Sequence, residues 1–343
     1  MNIELEIPVL RLGVAGFSDA QQKLASEAVR AAGTTRAQWH LVPFADADGW
    51  WLDGGRALVL PSGFLRVQPG VPSGRSIQIA MADVDRPVAF SLPLAAPGFH
   101  PAVTFELADR ERGVAVLHQF AGWLQPLLAQ FCLAASMSAH QPTLGAGSWE
   151  VLRGGDLLAV VDLRLGAAVT PTATPADFAG AAWTLRGHGE VAIPSEFVRA
   201  SVAQLMWQYA LRTERDLLPP HYRHQPLYFR RPPRLPQRQL KDAHLLLLRE
   251  LAAQPMAFEQ LQQATGLGSS ALARHLSALY VVGAITANPR RSAPGTIRHN
   301  SAEPFSAPNS NTFGSVLDSM LAMPTNGRRP VCDLTAPAPL VPE

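Results

Sequence analysis

The chain has 343 residues, 47% hydrophobic and only 16% charged, with a formal net charge of +2. That composition excludes a disordered chain and leaves room for two or three domains of ~100 to 200 residues each. No apolar run reaches the ~18 residues of a membrane span, and the opening residues carry acids where a secretory signal carries a basic patch, so a cytoplasmic protein without membrane contact is expected.

From the start, Val9 to Phe17 reads as a strand, and Ser18-Asp19 caps an amphipathic helix. Further strands are expected at Trp39 to Pro43, Ala57 to Pro61, Ile77 to Met81, Val88 to Leu94 and Val103 to Leu107. Residues 1–140 therefore read as an α/β domain, closed by a long helical stretch from Arg112 to Ala139 that Pro126 divides. Residues 147–220 read as an α+β segment. It opens with a hairpin around Gly154-Gly155-Asp156 and ends in a helix from Pro194 to Arg212.

Charge is unevenly distributed. Residues 1–220 hold 16 Lys/Arg against 20 Asp/Glu, residues 221–300 hold 11 against three, and the remainder holds two against four. A basic module on an acidic body predicts a polyanion or an acidic protein face as partner. Its first part, residues 221–240, is a proline-rich arm in which Arg230, Arg231, Arg234 and Arg238 stand with Tyr228 and no acid. Guanidinium groups for phosphates beside flat rings for bases suit a nucleotide. An interdomain connector, whose aromatics pack into a core and whose arginines pair with the acidic body, is the competing reading. Arg230-x-x-x-Arg234 also resembles the arginine pair of PilZ domains, which implies cyclic di-GMP binding, although the second PilZ motif is absent.

Residues 241–300 divide into helices at Asp242 to Ala253, Ala257 to Thr265 and Ser269 to Val282, with Gly266-Leu267-Gly268 as the tight turn and Ser269 as cap. A strand at Ala284 to Ala287 and a return at Thr296 to His299 follow. Phe258, Leu261, Thr265, Gly266, Leu267, Leu272, His275, Leu276, Leu279, Gly283 and Ile285 carry a pattern that resembles the winged helix-turn-helix of bacterial regulators. That resemblance implies a third helix in the major groove of duplex DNA, with Ser269, Ser270, Arg274 and Ser277 touching it. Arg290, Arg291 and Arg298 of the wing would lie along the backbone or in the minor groove. The same fold also serves protein contacts.

The order of the first strands resembles a degenerate response-regulator receiver. The places where a receiver holds its acids are occupied here by Gly16-Phe17-Ser18 and, on the strand limits above, by Pro61-Ser62. His221-x-x-His224 lacks a third ligand, and Cys132 and Cys332 make neither a disulfide framework nor a zinc site. No catalytic residue, metal or cofactor is expected, so the sequence reads as a non-enzymatic regulator or adaptor. Residues 301–343 read as a disordered tail with one short helix. Its stripe of Phe313, Val316, Leu317, Met320 and Leu321 would dock in a protein partner or on the chain itself.

Overall fold

A computed structural model describes residues 6–96, 98–141, 143–187 and 192–294. The tail stripe from Phe313 to Leu321, Cys332, the return strand at 296–299 and Arg298 lie outside the described residues. The fold is mixed α/β, as expected.

The first unit runs β1 (Val9–Ala15), α1 (Asp19–Ala31), β2 (Gln38–Leu41), β3 (Gly49–Asp53), β4 (Ala57–Val59), β5 (Phe64–Val67), β6 (Ile77–Ala80), β7 (Val88–Ser91), β8 (Thr104–Phe105) and α2 (Arg110–Trp123). Five of these strands form a parallel sheet in the order β2-β1-β3-β7-β8. Side chains alternate across its plane. Leu10, Leu12, Trp51 and Ala89 face a core shared with α1 and α2, whereas Ala15, Leu52, Val88 and Phe90 face the opposite way. That second face is covered by a small antiparallel sheet, β4-β5-β6, through Leu65, Val67 and Ile79. The strands expected at 57–61 and 77–81 thus belong to this cover rather than to the parallel sheet. The third parallel strand is Gly49–Asp53, a run whose flanking Asp48 and Gly54 read as loop. The third strand accordingly ends on Asp53, not on Pro61-Ser62.

Pro126 divides the long helical stretch as expected, and α2 meets α3 (Gln125–His140) at 65°. Helix α3 does not close the first unit, because Phe131, Cys132, Leu133 and Met137 pack in the core of the middle one. No single described helix is long and apolar enough to cross a membrane. The middle unit continues with β9 (Ser148–Arg153), β10 (Asp156–Asp162), β11 (Gly166–Val169), α4 (Pro175–Ala179), β12 (Ala182–Leu185) and β13 (Val198–Ala200). The strands pair antiparallel as β12-β9-β10-β11-β13. Gly154 and Gly155, both at positive φ, make the predicted hairpin turn.

Helix α5 (Val202–Arg212) starts later than Pro194. Residues 198–200 complete the sheet edge, and Ser201 forms the cap, accepting from the Gln204 amide at 3.1 Å while Gln204 Oε1 accepts from the Ser201 amide. Its apolar residues form two stripes rather than one. Val202, Leu205, Met206 and Tyr209 enter the middle core, while Ala203, Trp207, Ala210 and Leu211 enter the next. A helix apolar on both sides is buried on both sides, so α5 joins the two cores.

The third unit consists of β14 (Tyr228–Phe229), α6 (Asp242–Ala253), α7 (Phe258–Thr265), α8 (Ser269–Val281) and β15 (Ile285–Thr286). Gly266 ends α7 at φ +67°, a left-handed conformation that disfavours any side chain with a Cβ. The N-cap of α8 is Gly268, with no side-chain cap, so Ser269 is the first helical residue rather than the cap. The basic arm is no surface strap. Tyr222, Leu227 and Phe229 are buried in the third core, β14 pairs with β15, and Leu227 bridges Met256. The connector reading of the arm's aromatics therefore holds.

Candidate functional site

The residues that the winged-helix resemblance assigns to DNA divide into two groups. Ser269, Ser270 and Arg274 are exposed on the first half of α8, and Arg290 and Arg291 are exposed in the turn Pro289–Arg291 after β15. Ser277 is only 4% exposed, contrary to expectation. It lies with Ala273 and Ala278 on a helix whose major packing partner outside its own bundle is α5. A groove-reading surface needs the reverse, long polar side chains facing open solvent.

The charge of the arm is also dispersed. Arg231 donates from Nε to the Gly283 carbonyl at 3.3 Å and from Nη2 towards the Val282 carbonyl at 3.5 Å, placing a cation on the negative end of α8. The Arg230 amide donates to the Ala284 carbonyl at 2.9 Å. Tyr228 is half-buried in β14, Arg234 is exposed, and Arg238 borders a separate cleft beside Arg11 and Arg212. The five residues of the expected nucleotide set therefore do not converge. Arg223, which also belongs to the arm, pairs with Asp216 at 2.6 Å, and Lys241 pairs with Asp46 of the first unit. Among the described residues, no carboxylate reaches salt-bridge distance of Arg230, Arg231, Arg234, Arg274, Arg290 or Arg291.

At the carboxyl ends of the parallel strands, where open α/β sheets place their ligands, Asp53 stands beside Ser91. Asp53 Oδ1 accepts from the Gly55 amide at 2.9 Å, Oδ2 accepts from Gln21 Nε2 at 3.4 Å, and Arg56 lies 3.6 Å away. The crevice next to it is filled by the chain itself. A Cβ on Gly70 would fall 2.1 Å from the Phe17 carbonyl carbon, and one on Gly16, at φ +83°, would fall 2.9 Å from Val67. The glycines of the first turn therefore serve close packing. Among the described residues, no group of three His, Cys, Asp or Glu side chains is placed to hold a metal.

A histidine pair that sequence reasoning missed lies on the seam between α5 and the third unit. His244 is fully buried; its Nδ1 accepts from the Lys241 amide at 3.0 Å, which leaves Nε2 to donate to Nδ1 of His275 at 2.9 Å. Trp207 of α5 packs on the His244 ring at 4.5 Å between centroids. Burial first, then the neighbouring His275 and Lys241, lowers the pKa of His244 to about 3. Burial, Lys241 and Arg274 also lower that of His275, against a smaller upward pull from Asp46. Both rings are thus neutral in the fold but protonate near pH 6.5 once unfolded. A depressed histidine pKa contributes stability that is fully present above ~6.5 and is lost as pH falls towards the folded value. Thermal unfolding is expected to show a flat midpoint from pH 8 to 7 and a decline below pH 6, with His244 alone contributing up to about 1.4 kcal/mol per pH unit. His244→Gln should unfold more easily at neutral pH yet show a shallower decline; an unchanged slope would remove His244 from this role.

No family model matches this chain, and neither a curated protein nor a solved structure matches it.

Proposed function

We propose that the chain is a non-enzymatic regulatory adaptor in which residues 241–300 form a winged helix used for partner contact, with its third helix withheld from the DNA major groove. The succession of three helices, the left-handed Gly266 turn and the strand after Gly283 support the winged-helix reading. The strand order β2-β1-β3-β7-β8 supports a degenerate receiver for the first unit, since it is that of doubly wound signalling domains. Asp53 stands at the end of β3, but Gly16-Phe17-Ser18 follows β1, so the acids that would share a Mg²⁺ with it are missing. The observation that carries the adaptor reading is that Ala273 and Ser277 are buried on α8, the helix that packs against α5. The tail stripe Phe313, Val316, Leu317, Met320 and Leu321 is proposed as a second partner contact.

A second reading, contact with DNA phosphates alone, is favoured by the unpaired, exposed Arg274, Arg290 and Arg291. Fluorescence anisotropy of the full chain with unrelated duplexes separates the two. The phosphate reading expects binding without sequence preference that is lost between about 50 and 200 mM salt, because phosphate contacts release counterions, whereas the adaptor reading expects no binding at either. A complex that prefers one sequence and persists at the higher salt would overturn it.

A further inference from the structure

A cleft of about 830 Å³ lies where the three units meet, bordered by β1 and the Ala45–Asp48 segment, by β13 and α5, and by the arm before α6. Its carboxylates are already engaged. Asp48 takes both guanidinium nitrogens of Arg212, at 2.7 and 2.5 Å. Asp46 pairs with Lys241, and Asp85 with Arg86 at 2.8 Å. Arg11 and Arg199 line the same cleft without a carboxylate at salt-bridge distance among the described residues. Arg11 Nη2 donates instead to the Leu211 carbonyl. Burial first, then the Arg212 charge, lowers its pKa to about 10, with Asp48 opposing and Arg274 adding to the repulsion. Positive charge is therefore crowded on this wall, and an anion would relieve it.

The remaining wall has a second unmet demand. Trp207 Nε1, Gln208 Oε1 and Gln239 Oε1, all on lining residues, are buried without a hydrogen-bond partner. An indole N–H needs an acceptor and two amide oxygens need donors. Phosphate, sulfate or a dicarboxylate supplies acceptors only, whereas a heterocycle with ring nitrogens and an exocyclic amino group supplies both. Leu127, Phe197, Leu205 and Leu211 add apolar surface for its faces. The volume falls within the ~300 to 1,000 Å³ of small-molecule sites.

We propose that this cleft binds a phosphorylated nucleotide, with its phosphate on Arg11 and Arg199 and its base on Trp207, Gln208 and Gln239. The proposal goes beyond the adaptor reading and does not rest on it. Calorimetry of the full chain with ATP, GTP and cyclic di-GMP, and with inorganic phosphate as the reference, tests it without any DNA. The expected result is one site per chain for at least one nucleotide, held at least about tenfold more tightly than phosphate. Arg199→Ala and Gln208→Met should each weaken that binding about tenfold or more, while Arg223→Ala, outside the cleft, leaves it unchanged. Ligand-free Gln208→Met should melt at or above the wild-type temperature, since an apolar group replaces an unpartnered oxygen. Arg199 is exposed and carries the test alone if that variant fails to fold. Phosphate binding as tightly as every nucleotide, no heat from any probe, or an Arg199→Ala protein that binds like wild type would overturn the proposal.

Discussion

Asp48→Ala is expected to destabilise the protein by about 3–5 kcal/mol, the cost of leaving a buried cation without its partner. Asp48 and Arg212 have side chains only 7% and 14% exposed, and they join the first unit to the end of α5. The carboxylate also accepts the Arg11 backbone amide at 3.0 Å, so its loss leaves three nitrogen donors unmet. Burial lowers the Arg212 pKa, and it is the Asp48 charge and hydrogen bonds that outweigh it and leave the value raised; the variant keeps the burial penalty without that compensation. Replacing both residues by apolar ones of similar size should recover much of the loss, because the desolvation cost disappears with the charges. Urea denaturation at two salt concentrations checks this. Salt should change the difference little, as buried pairs are poorly screened. By contrast, Lys241→Ala breaks an ion pair with both side chains about two-fifths exposed and should cost less than about 1 kcal/mol. Equal effects from Asp48→Ala and Lys241→Ala would mean that Asp48 is solvated.

Trp207→Ala should cost a similar ~3–5 kcal/mol, by the cavity left when a large buried ring is removed. Trp207 is 1% exposed and is the largest member of the α5 stripe in the third core, where it also covers His244. Its loss should appear as a broadened or split unfolding transition, because it loosens the third unit from the other two rather than thinning one core. Trp123, 43% exposed at the end of α2, is the control and should be nearly silent on truncation. A single sharp transition in Trp207→Ala, displaced by less than about 1 kcal/mol, would show that α5 does not hold the units together.

The three helices of the basic unit were legible to within a residue or so, because Gly266 and Gly283 punctuate an apolar period of 3.6. Strand β3 was not, since Gly49-Trp-Trp-Leu-Asp53 is short, continuously apolar and flanked by residues that also make turns; periodicity cannot assign such a run. The start of α5 was misplaced for a related reason. Ala200 fits a helical stripe with Phe197 and Val202, yet its sheet pairing with Ala167 decides its conformation. Site residues followed the same division. Exposed Arg274, Arg290 and Arg291 could be found from charge alone, whereas the burial of Ser277 is a tertiary property that its polar side chain and local sequence do not announce. The cleft draws on residues from Arg11 to Lys241, and no local pattern joins them.

Residues 227–229 pair in two directions, Leu227 by a single bridge to Met256 and Tyr228 and Phe229 with Thr286 and Ile285 of β15. A fragment cut at residue 241 would lack that segment, with Leu227 and Phe229 gone from its interior and the edge of β15 open to neighbouring molecules. Even a cut at 221 discards Trp207, Ala210 and Leu218, which fill the same interior. Recombinant pieces designed on the helical boundaries alone should therefore clump, and an autonomous version has to begin before Ser201.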